Sequence, residues 1–481
     1  MQNEQLVKDL QAILGSAKVL SEKLDLLSYS YDSSFMARNN RFVPDVVITP
    51  TSTEEVSKVM KYAFNNNISV TPRGAGSGET CGSLAIQGGI VMDLATWDTI
   101  EEIDAENMQV QMRPGVIHAE LNKRLAEYGL FFPPDPGSSQ MCTVGGMVAN
   151  NSSGLRAVKY GTTEQYVLGL EVVLPNGEVI VTGGVNCRAI KNVSGLNLTK
   201  LFVGSEGTLG IITKIRLRLW PKPKARGILM AVFNDLEQAP QAVLDVYKGG
   251  ILPSGIEILD SSAIKAVNEY KPDINLPNAE AILLYELDGN PASVKWEGEE
   301  VSRIVGLLAA NVEWSTDPQR MSELWQGRAV TATAAARVRE DGSRIFAGED
   351  ISIPLNKVTE SLKKIKEIGK KYGIGVVNYG HIGDGNVHTA PVINPEDPEE
   401  VKLGAALADE IHLLAIAMGG VTTGEHGVGA VRSQYARKEH GAALDVMQSI
   451  KRTLDPKNIM NPGKLLPEEG NKHGTSTSSG S

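Results

Sequence analysis

A chain of 481 residues is long enough for two or three domains rather than one core. Apolar residues make up 42% and charged residues 22%, ordinary for a globular protein, and a formal charge of −10 gives no electrostatic footprint for nucleic acid. The most apolar run, Ile411–Met418, is too short for a transmembrane span, and Cys81, Cys142 and Cys187 are too far apart for a zinc knuckle or a disulfide framework, which points to a reducing cytoplasm.

Met1–Gln5 lacks the basic-then-apolar order of a signal peptide, and residues 1–41 read as an N-terminal helical segment. Val46–Ile48, Gly89–Met92 and Leu170–Leu174 read as buried strands, and Ile211–Leu219 as a strand with one polar face. Thr53–Phe64 reads as a helix with Thr53 as its cap, Glu54 and Glu55 at its positive end, and an apolar stripe of Val56, Val59, Met60 and Ala63. His118–Tyr128 reads as another, stopped by Gly129. Prolines at Pro221 and Pro223 mark a boundary. Beyond it the pattern is plain α+β: strands Gly227–Phe233, Ala281–Leu287 and Gly375–Asn378, and a helix Leu355–Lys371 with Leu355, Val358, Leu362, Ile365 and Ile368 on one face, ending at Gly373. There is no internal repeat. Gly470–Ser481 is small, polar and aperiodic, so it reads as a disordered tail and His473 within it is not a ligand.

Glycine gathers in loops between residues 71 and 220. Ile68-Ser69-Val70 reads as a strand leading into Thr71-Pro72-Arg73-Gly74-Ala75-Gly76-Ser77-Gly78, whose glycines let successive backbone N–H groups face an anion such as a pyrophosphate. Alone, such a loop is also what a flexible turn looks like, and its G-x-G-x-G spacing fails the dinucleotide-fold fingerprint. Three further segments add to it: Phe132–Gly137 leading into Thr143–Gly154, Lys191–Leu196, and Phe202–Thr213. All are loops of small hydroxyl and amide side chains, able to hydrogen-bond a planar, heteroatom-rich ring without blocking it.

Arg73-Gly74-x-Gly76, Pro133-Pro134-x-Pro136, Gly145-Gly146 and Gly204-Ser205-Glu206-Gly207-Thr208-Leu209-Gly210 occur in that order. Together they resemble the FAD domain of the vanillyl-alcohol-oxidase / p-cresol-methylhydroxylase (PCMH) flavoproteins. The resemblance implies an FAD site built from Pro72, Arg73, Gly74, Ala75, Gly76 and Ser77 around the pyrophosphate. Gly145, Gly146, Asn150, Ser152, Ser153 and Gly154 would line the isoalloxazine, with Pro136, Gly137, Ser138, Thr143, Glu206, Gly207, Gly210, Ile211, Ile212 and Asn461 also contributing. Some members attach FAD through a histidine near the first loop; Ser77 stands here, so the FAD is expected to be non-covalent.

Three of the seven histidines lie in two Gly-dense motifs, Gly380-His381-Ile382-Gly383-Asp384-Gly385-Asn386-Val387-His388 and Gly424-Glu425-His426-Gly427. A Gly-x-Gly turn between His381 and His388 allows two chain arms to bring both imidazoles together. With Glu425 they make a His₂Glu set suited to Zn²⁺, Fe²⁺ or Mn²⁺ with an open position. Adjacent His426 then serves as a base, since neighbouring side chains diverge. Turn or surface roles suit His118 and His440, and His412 among Leu413 and Leu414 reads as packed.

These motifs, with Asp455-Pro456-x-Asn458-Ile459-Met460-Asn461-Pro462-Gly463-Lys464, resemble the C-terminal half of the FAD-linked D-lactate / glycolate / D-2-hydroxyglutarate dehydrogenases. The resemblance implies an α+β protein: a two-part PCMH-type FAD-binding domain (42–222), then an α+β substrate domain (223–420). A segment returning to the flavin (421–468) and a tail (469–481) complete it. His381, His388 and Glu425 would bind the metal, His426 would take the hydroxyl proton, and Arg328 (in Trp325-Gln326-Gly327-Arg328) and Asn386 would bind substrate. Hydroxyglutarate-type members carry a lysine shortly before Asp350-Ile351-Ser352-Ile353-Pro354. Ala347-Gly348-Glu349 stands there, which favours a short monocarboxylate over a D-2-hydroxyglutarate-type substrate. With no haem or iron–sulfur motif, electrons are expected to pass to an electron-transfer flavoprotein, an iron–sulfur subunit or a quinone. The protein would be cytoplasmic, or held at a membrane only through a partner. A transferase on the same fold and a non-catalytic flavin subunit are the rival classes. The first would need a wide apolar channel and the second a degraded metal motif.

Overall fold

The computed structural model describes residues 2–39, 41–344 and 350–467, so Ala347–Glu349, the segment 469–481 and His473 lie outside the described residues. Helix Gln2–Leu14 precedes the first sheet, and helices Lys23–Ser28 and Phe35–Asn39 lie between its first two strands. That sheet has four strands in the order β1 (Val19–Leu20), β2 (Val46–Ile48), β4 (Ile90–Asp93), β3 (Val70–Arg73). β2 and β3 both run parallel to β4, and the crossover from β2 is helix α1 (Thr53–Asn66). Val56, Val59, Met60 and Ala63 are its buried stripe, as the periodicity predicts. Its cap, however, is Ser52, whose hydroxyl accepts the Glu55 N–H at 3.2 Å. The Thr53 hydroxyl donates instead to Glu171, 2.7 Å away in the next sheet. Strand β3 also differs from expectation: pairing with β4 continues through Arg73↔Asp93, so Pro72 and Arg73 lie in the strand and the turn begins at Gly74.

The second sheet is antiparallel, in the order β5 (Ile100–Asp104), β6 (Gln109–Met112), β9 (Ile211–Arg218), β7 (Val167–Val173), β8 (Val179–Val181). Between β6 and β7 lies the short helix α2 (Val144–Asn150), capped by Thr143. β9 keeps the expected polar face, Lys214, Arg216 and Arg218 alternating with Ile215 and Leu217, and also serves two cores. A register shift after Ile212 sends Ile211 into the cluster around α1 and leaves Ile212, Ile215 and Leu217 in the second.

The third sheet has eight strands. Its order is β13 (Asn311–Ser315), β10 (Ala225–Phe233), β12 (Ala281–Gly289), β11 (Gly255–Asp260), β16 (Gly375–His381), β17 (Asn386–Ile393), β14 (Ser343–Arg344), with β15 (Asp350–Ser352) also on β17. Helices α3 (Pro318–Ala335), α4 (Val358–Tyr372) and α5 (Pro398–Ala417) pack around it. α4 starts after a 3-10 turn at Leu355–Lys357, which leaves Leu355 off the stripe, and it ends at left-handed Gly373. β16 runs three residues past its expected end, because antiparallel pairing with β17 holds to His381↔Asn386. A histidine therefore sits at the very tip of the hairpin.

The first two sheets and the third meet over buried charge. Arg156, between α2 and β7, donates to Glu286 of β12 at 2.6 Å and to Asp135 at 2.6 Å. The chain then returns from helix α6 (Ala443–Leu454) to the first sheet, where Val70 bridges to Met460 in parallel. Lys464 is 3% exposed and donates to the Leu84 carbonyl and to Asn461 Oδ1, clamping this return. Burial pushes its amine down to about 7, although Cys81, Asp32 and Glu206 pull the other way.

From pH 7 to about 9 the unfolded chain therefore keeps a Lys464 proton that the folded chain has released, so stability rises with pH across this window. Denaturant midpoints measured from pH 7 to 9 are expected to climb for the native sequence, and Lys464→Met is expected to flatten that slope. Equal slopes for the two proteins would refute it.

Candidate active site

A cavity of 730 Å³ opens between the first two sheets and the third. Its floor is backbone: Gly74 to Gly78 after β3, Pro136 to Ser138, Thr143 to Gly154 around α2, and Glu206 to Gly210 before β9. Close approach explains the glycines. A Cβ on Gly74 would sit 2.4 Å from the Thr143 hydroxyl, and one on Gly207, at φ +69°, would sit 2.4 Å from the Pro72 ring. Of the residues expected to hold the cofactor, Pro72, Arg73, Gly74, Ala75, Gly76, Ser77, Pro136, Gly137, Ser138, Thr143, Gly145, Gly146, Asn150, Ser152, Ser153, Gly154, Glu206, Gly207, Gly210 and Ile212 all line it.

Two do not. Ile211 is fully buried in the core beside Val173, and Asn461 spends its amide on the Gly82 and Glu206 carbonyls, so it braces the loops from behind. Lys191–Leu196 does not reach the cavity either; Val193 and Leu196 are each 89% exposed on the outside of the second sheet.

The far end of the cavity carries Trp325 and Arg328 of α3, Tyr379 and His381 of β16, His388 of β17, and Glu425 and His426. Glu425 Oε1 lies 3.0 Å from His381 Nε2 and 3.5 Å from His388 Nε2. Ligand atoms of these three residues fall within 4.8 Å of one another. The His388 ring also stacks on His426 at 5.3 Å. Asp350, His388 and His426 form a second grouping of that kind, but the Asp350 carboxylate is already saturated. It accepts from the Thr423 hydroxyl and from the backbone N–H groups of Gly424, Glu425 and His426, at 2.6 to 3.0 Å. The Asn386 amide donates to its other oxygen. Against burial, neighbouring positive charge and these donors hold the Asp350 carboxyl well below its usual range.

Asn386 is thereby corrected from a substrate contact to a bracing residue: its amide goes to Asp350 and to the Ile351 carbonyl, and it does not line the cavity. His440 and His412 lie where the sequence suggests, whereas His118 is buried at a helix start, 3% exposed, and is satisfied there by hydrogen bonds. His118 bonds Ser139 and Asn122, His440 is part-exposed beside Glu439, and His412 is 1% exposed against Tyr435.

Three acidic residues at the site have no role in the sequence reading. Glu257, wholly buried on β11, lies 2.5 Å from His381 Nδ1 and binds Arg328 Nε. Glu79 Oε2 is 3.3 Å from His426 Nδ1. Asp384 stands exposed in the hairpin turn between His381 and His388. The signal for Glu257 was present, since a carboxylate inside Ile256-Glu257-Ile258-Leu259 is costly to bury without a partner. Burial opposes charge on His381, yet Glu257 and Glu425 raise it well above the usual imidazole value. Burial, His381 and His426 push His388 the other way. Glu425 itself, despite burial, is held at about 2 by the three histidines. The cluster thus demands positive charge between Glu257 and Glu425, which either a proton on His381 or a bound cation satisfies. Two imidazoles and a carboxylate are a donor set that fits a divalent ion.

Two family signatures match the chain: "FAD linked oxidases, C-terminal domain" over residues 222–465 and "FAD binding domain" over residues 44–183. The chain is 37% identical over 452 residues to the glycolate oxidase subunit GlcD of Bacillus subtilis, covering 93% of each. It is 36% identical to the mitochondrial D-lactate dehydrogenase [cytochrome] of Arabidopsis thaliana, over 88% of this chain and 74% of that one. Among solved structures, 4-ethylphenol oxidase from Gulosibacter chungangensis superposes with a TM-score of 0.78 at 18% identity, covering 97% of this chain and 98% of its own. p-Cresol methylhydroxylase does so with 0.75 at 19%, covering 96% of each. The fold is thus the PCMH-type architecture that the glycine loops predict.

Gly207→Ala would need both a strained left-handed backbone and displacement of Pro72. The variant is expected to purify with little or no yellow flavin by absorbance; full occupancy would show that this loop does not floor the cofactor site.

Proposed function

This chain belongs to the FAD-linked oxidases and is an FAD-dependent oxidoreductase; from that premise we propose that it oxidises a short D-2-hydroxy acid, D-lactate or glycolate, to the 2-oxo acid. The names of its relatives supply both substrates and the D configuration. The observation that carries the reading is the meeting of one guanidinium, a His₂Glu cluster and a further histidine at one end of the cavity.

FAD, held without a covalent link, supplies the two-electron acceptor for the hydride that leaves substrate C2. His381, His388 and Glu425 would hold a divalent ion, Zn²⁺, Fe²⁺ or Mn²⁺, whose chemistry there is to polarise the substrate hydroxyl and lower its pKa. Arg328 binds the substrate carboxylate. Only its Nε is engaged, by Glu257, and its guanidinium lies 5.2 Å over the Tyr379 ring. Its two Nη groups have no hydrogen-bond partner among the described residues, a fork matched to a carboxylate. His426 takes the hydroxyl proton at Nε2, which is the nitrogen turned toward Glu425, at 4.0 Å, while Nδ1 faces Glu79. Glu79 thus stabilises the imidazolium that forms. No helix among the described residues is long and apolar enough to cross a membrane. A separate acceptor, an electron-transfer flavoprotein, an iron–sulfur protein or a quinone, would take the electrons onward.

Anaerobic addition of D-lactate, glycolate and D-2-hydroxyglutarate in turn is expected to bleach the flavin with one of the first two; no bleaching with any of the three would sink the reading. His426→Ala is expected to stay folded and yellow but to slow that bleaching by roughly 10²–10⁴-fold, and an unchanged rate would remove His426 from the mechanism. Treatment with a chelator should abolish reduction and a divalent ion should restore it, whereas full activity in metal-free protein would dismiss the ion.

A further inference from the structure

Among the described residues, Glu257 is the buried carboxylate that touches both Arg328 and His381. Its side chain is fully buried on β11, where Ile258 and Leu259 pair with Gly380 and Tyr379 of β16. Its two oxygens are divided: Oε1 meets His381 Nδ1 at 2.5 Å and Oε2 meets Arg328 Nε. Each contact has a chemical consequence. A carboxylate on Nδ1 holds a proton there, so an ion that displaces the second proton would meet the Nε2 lone pair beside Glu425, 3.0 Å away. A carboxylate that bound Arg328 in the usual two-pronged way would occupy one of the Nη groups. By giving Arg328 a single oxygen at Nε, Glu257 leaves both Nη groups of the guanidinium for a ligand, while Tyr379 supports its face.

We propose that Glu257 is a positioning residue that couples the two subsites: one carboxylate sets the metal-facing tautomer of His381 and, through Arg328, the orientation of the fork that receives the substrate carboxylate. The proposal rests on the functional reading above. It adds that metal affinity and carboxylate affinity share a determinant that touches neither ligand. Such a bridge requires both length and two acceptor oxygens. Glu257→Gln would turn an amide N–H₂ toward one of two donors, and Glu257→Asp, one methylene shorter, cannot span both partners.

The test uses the full-length flavoprotein carrying Glu257→Gln and, to preserve the buried negative charge if the first variant folds poorly, Glu257→Asp. Three quantities are read: flavin retained, divalent-ion affinity by competition with a chromophoric chelator, and binding of oxalate, a dicarboxylate that cannot be oxidised at C2, from the perturbed visible spectrum. Flavin content is expected to be unchanged, with ion affinity lowered about 10–100-fold and the oxalate dissociation constant raised about tenfold or more in the metal-free protein, where only Arg328 reads it. A change in only one affinity, or in neither, overturns the coupling. Loss of flavin from both variants assigns Glu257 a folding role and overturns it too. Native protein that binds no divalent ion would defeat the metal reading by itself; the metal-free oxalate arm would still report on Glu257 and Arg328.

Discussion

Three consecutive backbone N–H groups, those of Gly424, Glu425 and His426, converge on one oxygen of the buried Asp350 carboxylate. A buried ion is tolerable only when it is fully hydrogen-bonded, and here the Thr423 hydroxyl and the Asn386 amide complete the set. Held in this way, the loop sets Glu425 between His381 and His388 and stacks His426 on His388, with Nε2 toward Glu425 and Nδ1 toward Glu79. The same segment is fixed from the flavin side, where Glu206 accepts the N–H groups of Val428 and Gly429 and Asn150 donates to the Glu425 carbonyl. A loop with three glycines in six residues, Gly424, Gly427 and Gly429, would otherwise have no single conformation.

The site assembled in this way is rich in carboxylates, with Glu257 and Asp350 wholly buried and Glu425 nearly so, all close to His381 and His388. Its positive charge comes from Arg328 and from the histidines, one raised and one lowered in proton affinity although they are neighbours. The two rings lie edge to face, 5.0 Å apart. Charge of that kind, facing a floor of backbone N–H groups and small side chains, suits proton removal from a hydroxyl beside a planar redox ring better than it suits either rival class.

Much of the cavity floor was legible because loops packed closely against one another exclude side chains, and that constraint writes glycine into the sequence at the position concerned. Gly74 and Gly207 are examples, where an added Cβ would meet its neighbour at 2.4 Å. The histidine pair was legible because a Gly-x-Gly turn between two apolar runs implies a hairpin. The misses share one cause. Ile211, Asn386 and Asn461 all sit within or beside the right motifs, but whether a side chain faces the ligand or the layer behind it depends on register, and a single shift after Ile212 sends Ile211 into a core. Lys191–Leu196 has the composition of a flavin loop and lies outside the cavity altogether.

The sequence by itself determined the kind of chemistry: a family of glycine loops, two Gly-flanked histidine motifs and an arginine, each recognisable because local backbone demands restrict residue choice. Only the tertiary structure decided which groups act on one another. Glu257, Glu79 and Asp350 are 124, 347 and at least 73 positions from the residues they orient, His381, His426 and the Thr423–His426 loop. Pairings over such separations leave no local pattern, since they come from strands β11 and β16 lying side by side and from the chain's return to the first sheet.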